Sequence, residues 1–171
     1  RLDRDKNVQA IISALPHTNT HVRLMISGAG KEDAALKNLA ADLGVEKRII
    51  WTGYADQQKM LDLYHGADCF IIMALYEVQS IVTLQALACG LPVIAAAAGA
   101  LPELAHDGKN GFLVPPDNNK LLGEKMNFIA THQSVRRQMG DISRSISLIH
   151  HKPTALARLE SLYRDTINNA I

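Results

Sequence analysis

The sequence predicts an α/β fold in which a parallel sheet is covered by helices on both faces. Short, continuous apolar runs alternate along the chain with amphipathic segments of helical spacing, a pattern typical of parallel strands joined by crossover helices. Several of these runs end at a glycine, which marks the turn into the next element. The 171 residues, 47% hydrophobic and 20% charged, suffice for one compact domain with a buried core.

The first half of the chain begins with a helix in "DKNVQAIISAL", where Val8, Ile11 and Ile12 recur at helical spacing. "PHTNT" breaks that pattern before "HVRLMISGAG", which reads as a short buried strand. "EDAALKNLAADLGV" predicts an amphipathic helix closed by Gly44, and "KRIIWTG" predicts a second strand closed by Gly53. The segments "DQQKMLDLYHGA", "DCFIIMA", "SIVTLQALACG" and "LPVIAA" then repeat the order helix, strand, helix, strand.

The last third of the chain adds a short helical turn near Leu101–Glu103, a turn and strand in "DGKNGFLVPP", and mostly helix from Asp117 onward. The terminal helix carries one apolar stripe, formed by Leu156, Leu159, Tyr163 and Ile167. Such a stripe predicts that this helix packs against another surface.

Charge and cysteine content limit the classes of function. Lysine plus arginine number 18 against 17 acidic residues, so the net charge of +1 does not indicate a nucleic-acid or lipid-surface binder. Cys69 and Cys89 lie in apolar surroundings and are expected to be reduced, as suits a cytoplasmic protein. No apolar run approaches the roughly 20 residues that span a bilayer, and no signal peptide is visible.

Metal and nucleophile sites are not expected either. The seven histidines show no ligand spacing, and the adjacent His150 and His151 cannot share one helical face. Neither a serine elbow nor a cysteine with plausible partners is present.

A parallel α/β sheet binds its ligand beyond the carboxyl ends of its strands. Those ends are expected at Gly28–Gly30, Gly53–Tyr54, Ala74–Ser80 and Ala96–Glu103. The "SGAGK" run is neither a P-loop, because Glu32 follows its lysine, nor a dinucleotide fingerprint, because Asp33 takes the third glycine position. Gly28 and Gly30 either turn the chain into the next helix or let a ligand approach the backbone.

The stretch "YEVQSIVTLQ" leaves a strand and enters a helix at Ser80. The free amides of its first turn, near Ser80, Ile81 and Val82, form an anion site that suits a phosphate, although Ser80 could simply be an N-cap. Glu77 is either a solvated loop carboxylate or an acceptor for hydroxyl groups in the crevice. Arg1, Arg4 and Lys6 either form a solvated loop or, if a strand precedes Arg1, meet a diphosphate beside the same crevice.

The segments "RLDRDKN", "LYHGADCFIIMALYE", "LQALACGLPVIA" and "LPELAHDGKNGFLVPPDN" occur in an order and spacing that resemble a known family. The chain is similar to the nucleotide-sugar-binding C-terminal domain of retaining glycosyltransferases of the GT-B fold, family 4. The resemblance implies a Rossmann-like domain over residues 1–150, one half of a GT-B fold, whose first strand would precede residue 1. Residues 151–171 would form a terminal helix that crosses back toward an N-terminal domain.

The resemblance also implies the reaction. A sugar, most favourably from a UDP-sugar, would pass from a nucleoside diphosphate to a hydroxyl of a glycan or lipid acceptor, with retention of configuration and without a metal or other cofactor. The acceptor would bind to the N-terminal domain, so the isolated chain is expected to be inactive. Such enzymes act in the cytoplasm or at the inner membrane face, in the synthesis of cell-envelope polysaccharide or glycolipid.

Roles transfer from the family residue by residue. Arg1 and Lys6 match the basic pair that binds the diphosphate, and Glu77 matches the acid that contacts the donor sugar. The remaining donor-binding positions are Gly28 and Gly30 in the glycine loop, Gly53 and Tyr54 beside the base, Ser80 and Ile81 at sugar and phosphate, Gln85 at the ribose, and Glu103 near the sugar.

The chain departs from the family at three places. Ala96, Ala97 and Ala100 replace positions where small polar residues or glycine are common. Val78, Gln79 and Ser80 replace the usual Gly-Phe-Gly, and Gln85 replaces the second glutamate of the signature pair. Exchanging a charged for a neutral acceptor costs roughly 1 kcal/mol, or about fivefold in donor affinity. Two alternatives therefore remain: a degenerate, non-catalytic module that serves as a partner or regulatory subunit, and a sugar-nucleotide epimerase.

Overall fold

A computed structural model describes residues 1–168, and the last three residues of the predicted terminal segment, 169–171, lie outside the described residues. The strands are β1 (Leu24–Ser27), β2 (Ile49–Gly53), β3 (Phe70–Ile72), β4 (Val93–Ala96) and β5 (Gly111–Val114). The helices are α1 (Val8–Ala14), α2 (Asp33–Asp42), α3 (Gln57–His65), α4 (Ile81–Ala88), α5 (Asn119–Thr131), α6 (Gln133–Ile149) and α7 (Lys152–Asn168). Every strand and helix expected from the sequence is present, including the short 3₁₀ turn at Leu101–Glu103.

The paired strands are all parallel, which confirms the predicted α/β class, but they form two sheets instead of the single sheet expected. One sheet contains β1 and β2, with Leu24 opposite Ile49. The other has the order β3-β4-β5, with Phe70 opposite Val93 and Val93 opposite Gly111. β1 and β3 are edge strands of different sheets and do not pair with each other.

The strand β4 lies at the centre of the three-stranded sheet, and all four of its residues are buried. Its run of valine, isoleucine and two alanines has no polar side to turn toward water, as expected of a parallel strand covered on both faces. The helix α1 packs against α2 and α5, and α4 packs against α6. This layering places the carboxyl ends of the strands at one open edge of the domain.

Asn110 joins three elements from a fully buried position. Its side-chain amide donates to the Leu104 carbonyl oxygen at 2.9 Å and to Ser143 Oγ at 3.5 Å. Its Oδ1 accepts from the backbone amide of His106 at 2.7 Å. The "DGKNGF" turn is therefore held to α6 and to the loop after Leu101–Glu103 by one side chain.

The helix α7 buries none of its residues. Leu156, Leu159, Tyr163 and Ile167 are all exposed, so the stripe seen in the sequence has no cover within residues 1–168. None of the described helices is long and apolar enough to cross a membrane.

Candidate functional site

A cavity of about 1160 Å³ runs along β1 and β3 and reaches the carboxyl ends of both strands. Seven of the predicted site residues line it, namely Arg1, Lys6, Gly28, Tyr54, Glu77, Ser80 and Ile81. We call the part of this cavity that these seven residues form the crevice. Residues from four separate parts of the chain therefore meet where the sequence predicts a ligand.

Lys6 and Glu77 form an ion pair inside the crevice. Lys6 Nζ donates to Glu77 Oε2 at 3.1 Å, and their side chains are 29% and 15% exposed. Asp5 adds a weaker contact, with its carboxylate 3.7 Å from the same ammonium. Because an ammonium group has three donors, Lys6 retains capacity for a further acceptor while it holds Glu77.

The backbone around Lys6 is held in place from both sides. The Asp5 carbonyl oxygen accepts from the amide of Leu75, just beyond β3, at 3.0 Å. Asn7 has a left-handed backbone with φ of 50°, a conformation that asparagine tolerates better than most residues. Its side chain donates to the Pro116 carbonyl oxygen at 3.3 Å. Lys6 therefore lies in a turn whose backbone is constrained on both sides. The sequence analysis did not identify Asn7 as part of this constraint.

The loop that carries Glu77 is fixed by the loop that follows β4. The amide of Ala100 donates to the Glu77 carbonyl oxygen at 2.8 Å. Gly99 has φ of 55°, and a Cβ atom there would lie 2.6 Å from the same oxygen. Only glycine therefore permits this approach. Sequence analysis placed the loop after β4 near the site, but it did not identify Gly99.

Ser80 is the N-cap of α4. It is 3% exposed, and its Oγ accepts from the amide of Thr83 at 3.4 Å and from Thr83 Oγ1 at 2.7 Å. The capping alternative is therefore correct for this side chain. The amides of Ile81 and Val82 have no acceptor among residues 1–168, and they remain available at the positive end of the helix.

Gln85 lies on the exposed surface of α4 and outside the lining of the crevice. Its Oε1 accepts from the Tyr64 hydroxyl at 3.2 Å, and the same hydroxyl lies 3.2 Å from the Val82 carbonyl oxygen. Burial raises the pKa of Tyr64 to about 12, and Cys89 adds to the shift. Tyr64 is therefore a neutral donor that orients Gln85, whose NH₂ group has no hydrogen-bond partner within residues 1–168. The sequence carries no signal for this contact.

Arg1 lies at the mouth of the crevice. Its side chain is 79% exposed, and its Nε is 3.2 Å from Asp3 Oδ2. Tyr54, 83% exposed, also stands at the mouth, directly after Gly53 at the end of β2. Both side chains are open to a ligand.

Gly28, Gly30 and Gly53 line a second cavity, of about 390 Å³, together with Trp51 and Lys37. At Gly30 the space for a side chain is taken by the chain itself, because a Cβ atom would lie 2.3 Å from the Leu2 carbonyl oxygen. Gly30 makes room for the first residues of the chain, a reason that neither sequence alternative considered.

Glu103 is exposed in the Leu101–Glu103 turn and lines neither cavity. Gln85 and Glu103 are therefore the two predicted residues that the structure does not bring into a cavity. Within residues 1–168, no group of three or more histidine, cysteine or acidic residues is arranged to hold a metal ion.

Comparison with known proteins identifies a family. Residues 1–146 match the family described as glycosyl transferases group 1. An uncharacterised glycosyltransferase of Methanocaldococcus jannaschii is 32% identical over 120 residues, which cover 69% of this chain and 31% of that protein. A D-inositol 3-phosphate glycosyltransferase of Corynebacterium glutamicum is 28% identical over 98% of this chain and 38% of its own length. The chain thus spans less than half the length of either relative.

Solved structures show the same fold. The Anabaena protein HepE, crystallised with UDP-glucose, matches 86% of this chain and 42% of its own with a TM-score of 0.80 at 26% identity. In its complex with UDP and glucose, the match covers 97% of this chain and 46% of the other, with a TM-score of 0.86 at 23% identity.

Proposed function

Because this chain belongs to the glycosyl transferases group 1 family, we propose that it is the donor-binding domain of a retaining, family 4 glycosyltransferase that uses a UDP-sugar. One observation carries the proposal: the crevice joins an ammonium, a carboxylate and open helix amides, the three kinds of group that a sugar diphosphate needs. The presence of UDP-glucose in the HepE crystal supports a uridine donor.

The diphosphate is expected to lie between Lys6, Arg1 and the free amides of Ile81 and Val82. Charge-assisted hydrogen bonds from these donors would strengthen as the sugar departs and charge builds on the leaving phosphate. Arg1 would turn from Asp3 toward the ligand, which its exposed position allows.

Glu77 would accept hydrogen bonds from hydroxyl groups of the donor sugar. Its carboxylate is held by Lys6 and its carbonyl oxygen by Ala100, so the acceptor is oriented before the sugar arrives. We place Glu103 at the outer side of the sugar, the base beside Gly53 and Tyr54, and the ribose against Gln85.

The reaction would break the bond between the anomeric carbon and the phosphate oxygen and form a bond to the acceptor oxygen on the same face. The proton of the acceptor hydroxyl would pass to the leaving phosphate, so no protein nucleophile is required. A separate N-terminal domain would bind the glycan or lipid acceptor, and the uncovered stripe of α7 would pack against it.

Calorimetric titration of the chain with UDP, UMP, UDP-glucose and GDP-mannose tests the donor site. We expect UDP and UDP-glucose to bind more tightly than UMP, which lacks the second phosphate and so lacks part of the contact to Lys6. The absence of heat with every nucleoside diphosphate would contradict the proposal.

The replacement of a family glutamate by Gln85 favours the alternative of a non-catalytic module, and Gln85→Glu in the full-length protein separates the two. If the full-length protein is an active enzyme, we expect the parent itself to transfer sugar. The Gln85→Glu variant should then bind UDP about fivefold more tightly than the parent. The gain should be absent with 2′,3′-dideoxy-UDP if Gln85 faces the ribose. A parent without activity that Gln85→Glu activates would instead indicate degeneration.

A further inference from the structure

Tyr64 is a buried side chain that packs against α4, the helix that carries Gln85. It comes from α3, is 6% exposed, and meets Phe70 edge to face with 6.0 Å between the ring centroids. Ala86 of α4 and Leu91 belong to the same apolar cluster. Because close packing fixes the ring, its hydroxyl group reaches α4 from one direction only.

The Tyr64 hydroxyl has two acceptors within reach. It lies 3.2 Å from the Val82 carbonyl oxygen and 3.2 Å from Gln85 Oε1. A phenol has a single hydrogen, so it donates to one of them at a time. The Val82 carbonyl lies inside α4, where the regular helix pattern supplies it with the amide of Ala86. Gln85 Oε1 has no second donor among residues 1–168, so it is the acceptor that gains more from the hydroxyl.

This hydrogen bond decides which end of the Gln85 amide is available to a ligand. Burial raises the pKa of Tyr64 to about 12, so its hydroxyl keeps the hydrogen at neutral pH. The oxygen and nitrogen of an amide lie on opposite sides of its carbon, so an oxygen held against Tyr64 turns the NH₂ group away. Gln85 therefore presents a hydrogen-bond donor, whereas a glutamate at this position would present only acceptors.

We propose that Tyr64 is a positioning residue that sets Gln85 as a hydrogen-bond donor toward a ribose oxygen of the bound nucleotide. The inference rests on the proposed function, which places the ribose against Gln85. Tyr64 contacts α4 at Val82, whose amide is open to the diphosphate, and at Gln85 three positions later. One helix would thus serve the diphosphate and the ribose, and Tyr64 would fix the polarity of the ribose contact.

The polarity of this contact determines which nucleotides bind. An NH₂ group needs the oxygen of a ribose hydroxyl but not its hydrogen, so a methyl ether can replace that hydroxyl. A carboxylate needs the hydrogen, so for a glutamate the methyl ether is no better than complete loss of the hydroxyl. Gln85 lies at an exposed position, which leaves room for the methyl group.

Calorimetry tests the polarity with UDP and its 2′-deoxy, 3′-deoxy, 2′-O-methyl and 3′-O-methyl analogues, in the parent chain and in Gln85→Glu. At the ribose position that Gln85 contacts, we expect the parent to bind the methyl ether within about twofold of UDP and the deoxy analogue about fivefold more weakly. In Gln85→Glu, both analogues should bind about tenfold or more weakly than UDP. Comparing the same ether in two variants cancels any steric effect of the methyl group.

A double-mutant cycle tests whether Tyr64 acts through Gln85. We expect Tyr64→Phe to weaken UDP binding about threefold, because the amide loses its orientation, and Gln85→Ala to weaken it about fivefold. Adding Tyr64→Phe to Gln85→Ala should change nothing further, since no amide remains to be oriented. Tyr163→Phe, at an exposed position of α7, is the matched control and should bind UDP like the parent.

A loss from Tyr64→Phe that persists in the Gln85→Ala background would overturn the proposal, because Tyr64 would then act on the crevice through packing. The proposal also fails if the methyl ethers bind the parent no more tightly than the deoxy analogues, since the NH₂ group would then not contact the ribose. Either result, with UDP still bound, would leave the proposed function standing. No binding of UDP to the parent would instead contradict the proposed function, and this inference with it.

Discussion

The ammonium of Lys6 lies 3.1 Å from the Glu77 carboxylate, although 71 positions separate the two residues in the chain. One residue precedes α1 and the other follows β3, so the pair joins two segments that are distant in the chain. In the proposed donor complex, this contact would orient the ammonium toward the diphosphate and the carboxylate toward the sugar at the same time.

Replacing Lys6 by methionine should weaken UDP binding by about 10- to 100-fold, the equivalent of one charge-assisted hydrogen bond of about 1.5–3 kcal/mol. Methionine keeps much of the side-chain length and removes the charge. Calorimetry with UDP measures the change, and Lys47→Met in the exposed turn before β2 is the control. Equal affinities of the Lys6 and Lys47 variants would show that Lys6 does not contact the diphosphate.

Gly99→Ala should displace the loop of Glu77, because the new Cβ would meet the Glu77 carbonyl oxygen at 2.6 Å. We expect UDP-glucose affinity to fall by about tenfold, the loss of one hydrogen bond to a carboxylate, while UDP affinity changes little. Gly108→Ala is the matched control. Gly108 has φ of 70° and no atom within 4 Å of its added Cβ, so that variant incurs only backbone strain of about 1 kcal/mol. A loss of UDP-glucose binding of the same size in both variants would point to general destabilisation.

Asn110→Ala should lower the free energy of unfolding by about 2–4 kcal/mol, because it leaves the buried carbonyl of Leu104 and the partly buried amide of His106 without partners. For a chain of this length, Tm should fall by about 5–15 °C. Asn118→Ala removes an exposed N-cap of α5 and should cost only about 1 kcal/mol. Calorimetric unfolding compares the two, and similar losses would argue against the buried network.

Tyr64 should make the protein sensitive to alkali. Burial raises its pKa in the folded state to about 12 from 10.0, so its contribution to stability is complete below pH 10. That contribution is lost as pH rises toward 12, because the unfolded state releases the proton first. Tm should therefore fall less steeply between pH 10 and 12 in Tyr64→Phe than in the parent.

Some alkaline sensitivity should remain in Tyr64→Phe, because burial also raises the pKa of Cys69 to about 12. Tyr54→Phe, at an exposed position, is the control. An unchanged slope in Tyr64→Phe would mean that the hydroxyl is not protected in the folded state.

The local elements and the general position of the site could be predicted from the sequence. The strand β4 is a continuous apolar run followed by small residues, and "YEVQSIVTLQ" combines an acid with a helix start. Hydrophobic periodicity and turn residues act over a few positions, so they can be recognised without knowing what packs against them.

The contacts that shape the site could not be predicted in the same way. From the sequence, Gly30 was expected to belong to a ligand-binding loop, but its missing side chain makes room for Leu2. Gln85 was expected to contact only the ribose, but its side chain accepts a hydrogen bond from Tyr64. Each of these partners lies on another element, and nothing in the local pattern identifies it.

The sequence by itself determined the alternation of helix and strand, and hence that Glu77 and Ser80 belong to the end of a parallel sheet, whereas it placed Arg1 and Lys6 there only if a strand precedes Arg1. Only the tertiary structure decided that Lys6 binds Glu77, that Gly99 and Ala100 hold the Glu77 loop, and that β1 and β3 belong to separate sheets. The physical reason is the separation along the chain over which each interaction acts. Backbone conformation follows from neighbours in the chain, whereas ion pairs, backbone contacts and open strand edges depend on how distant segments pack.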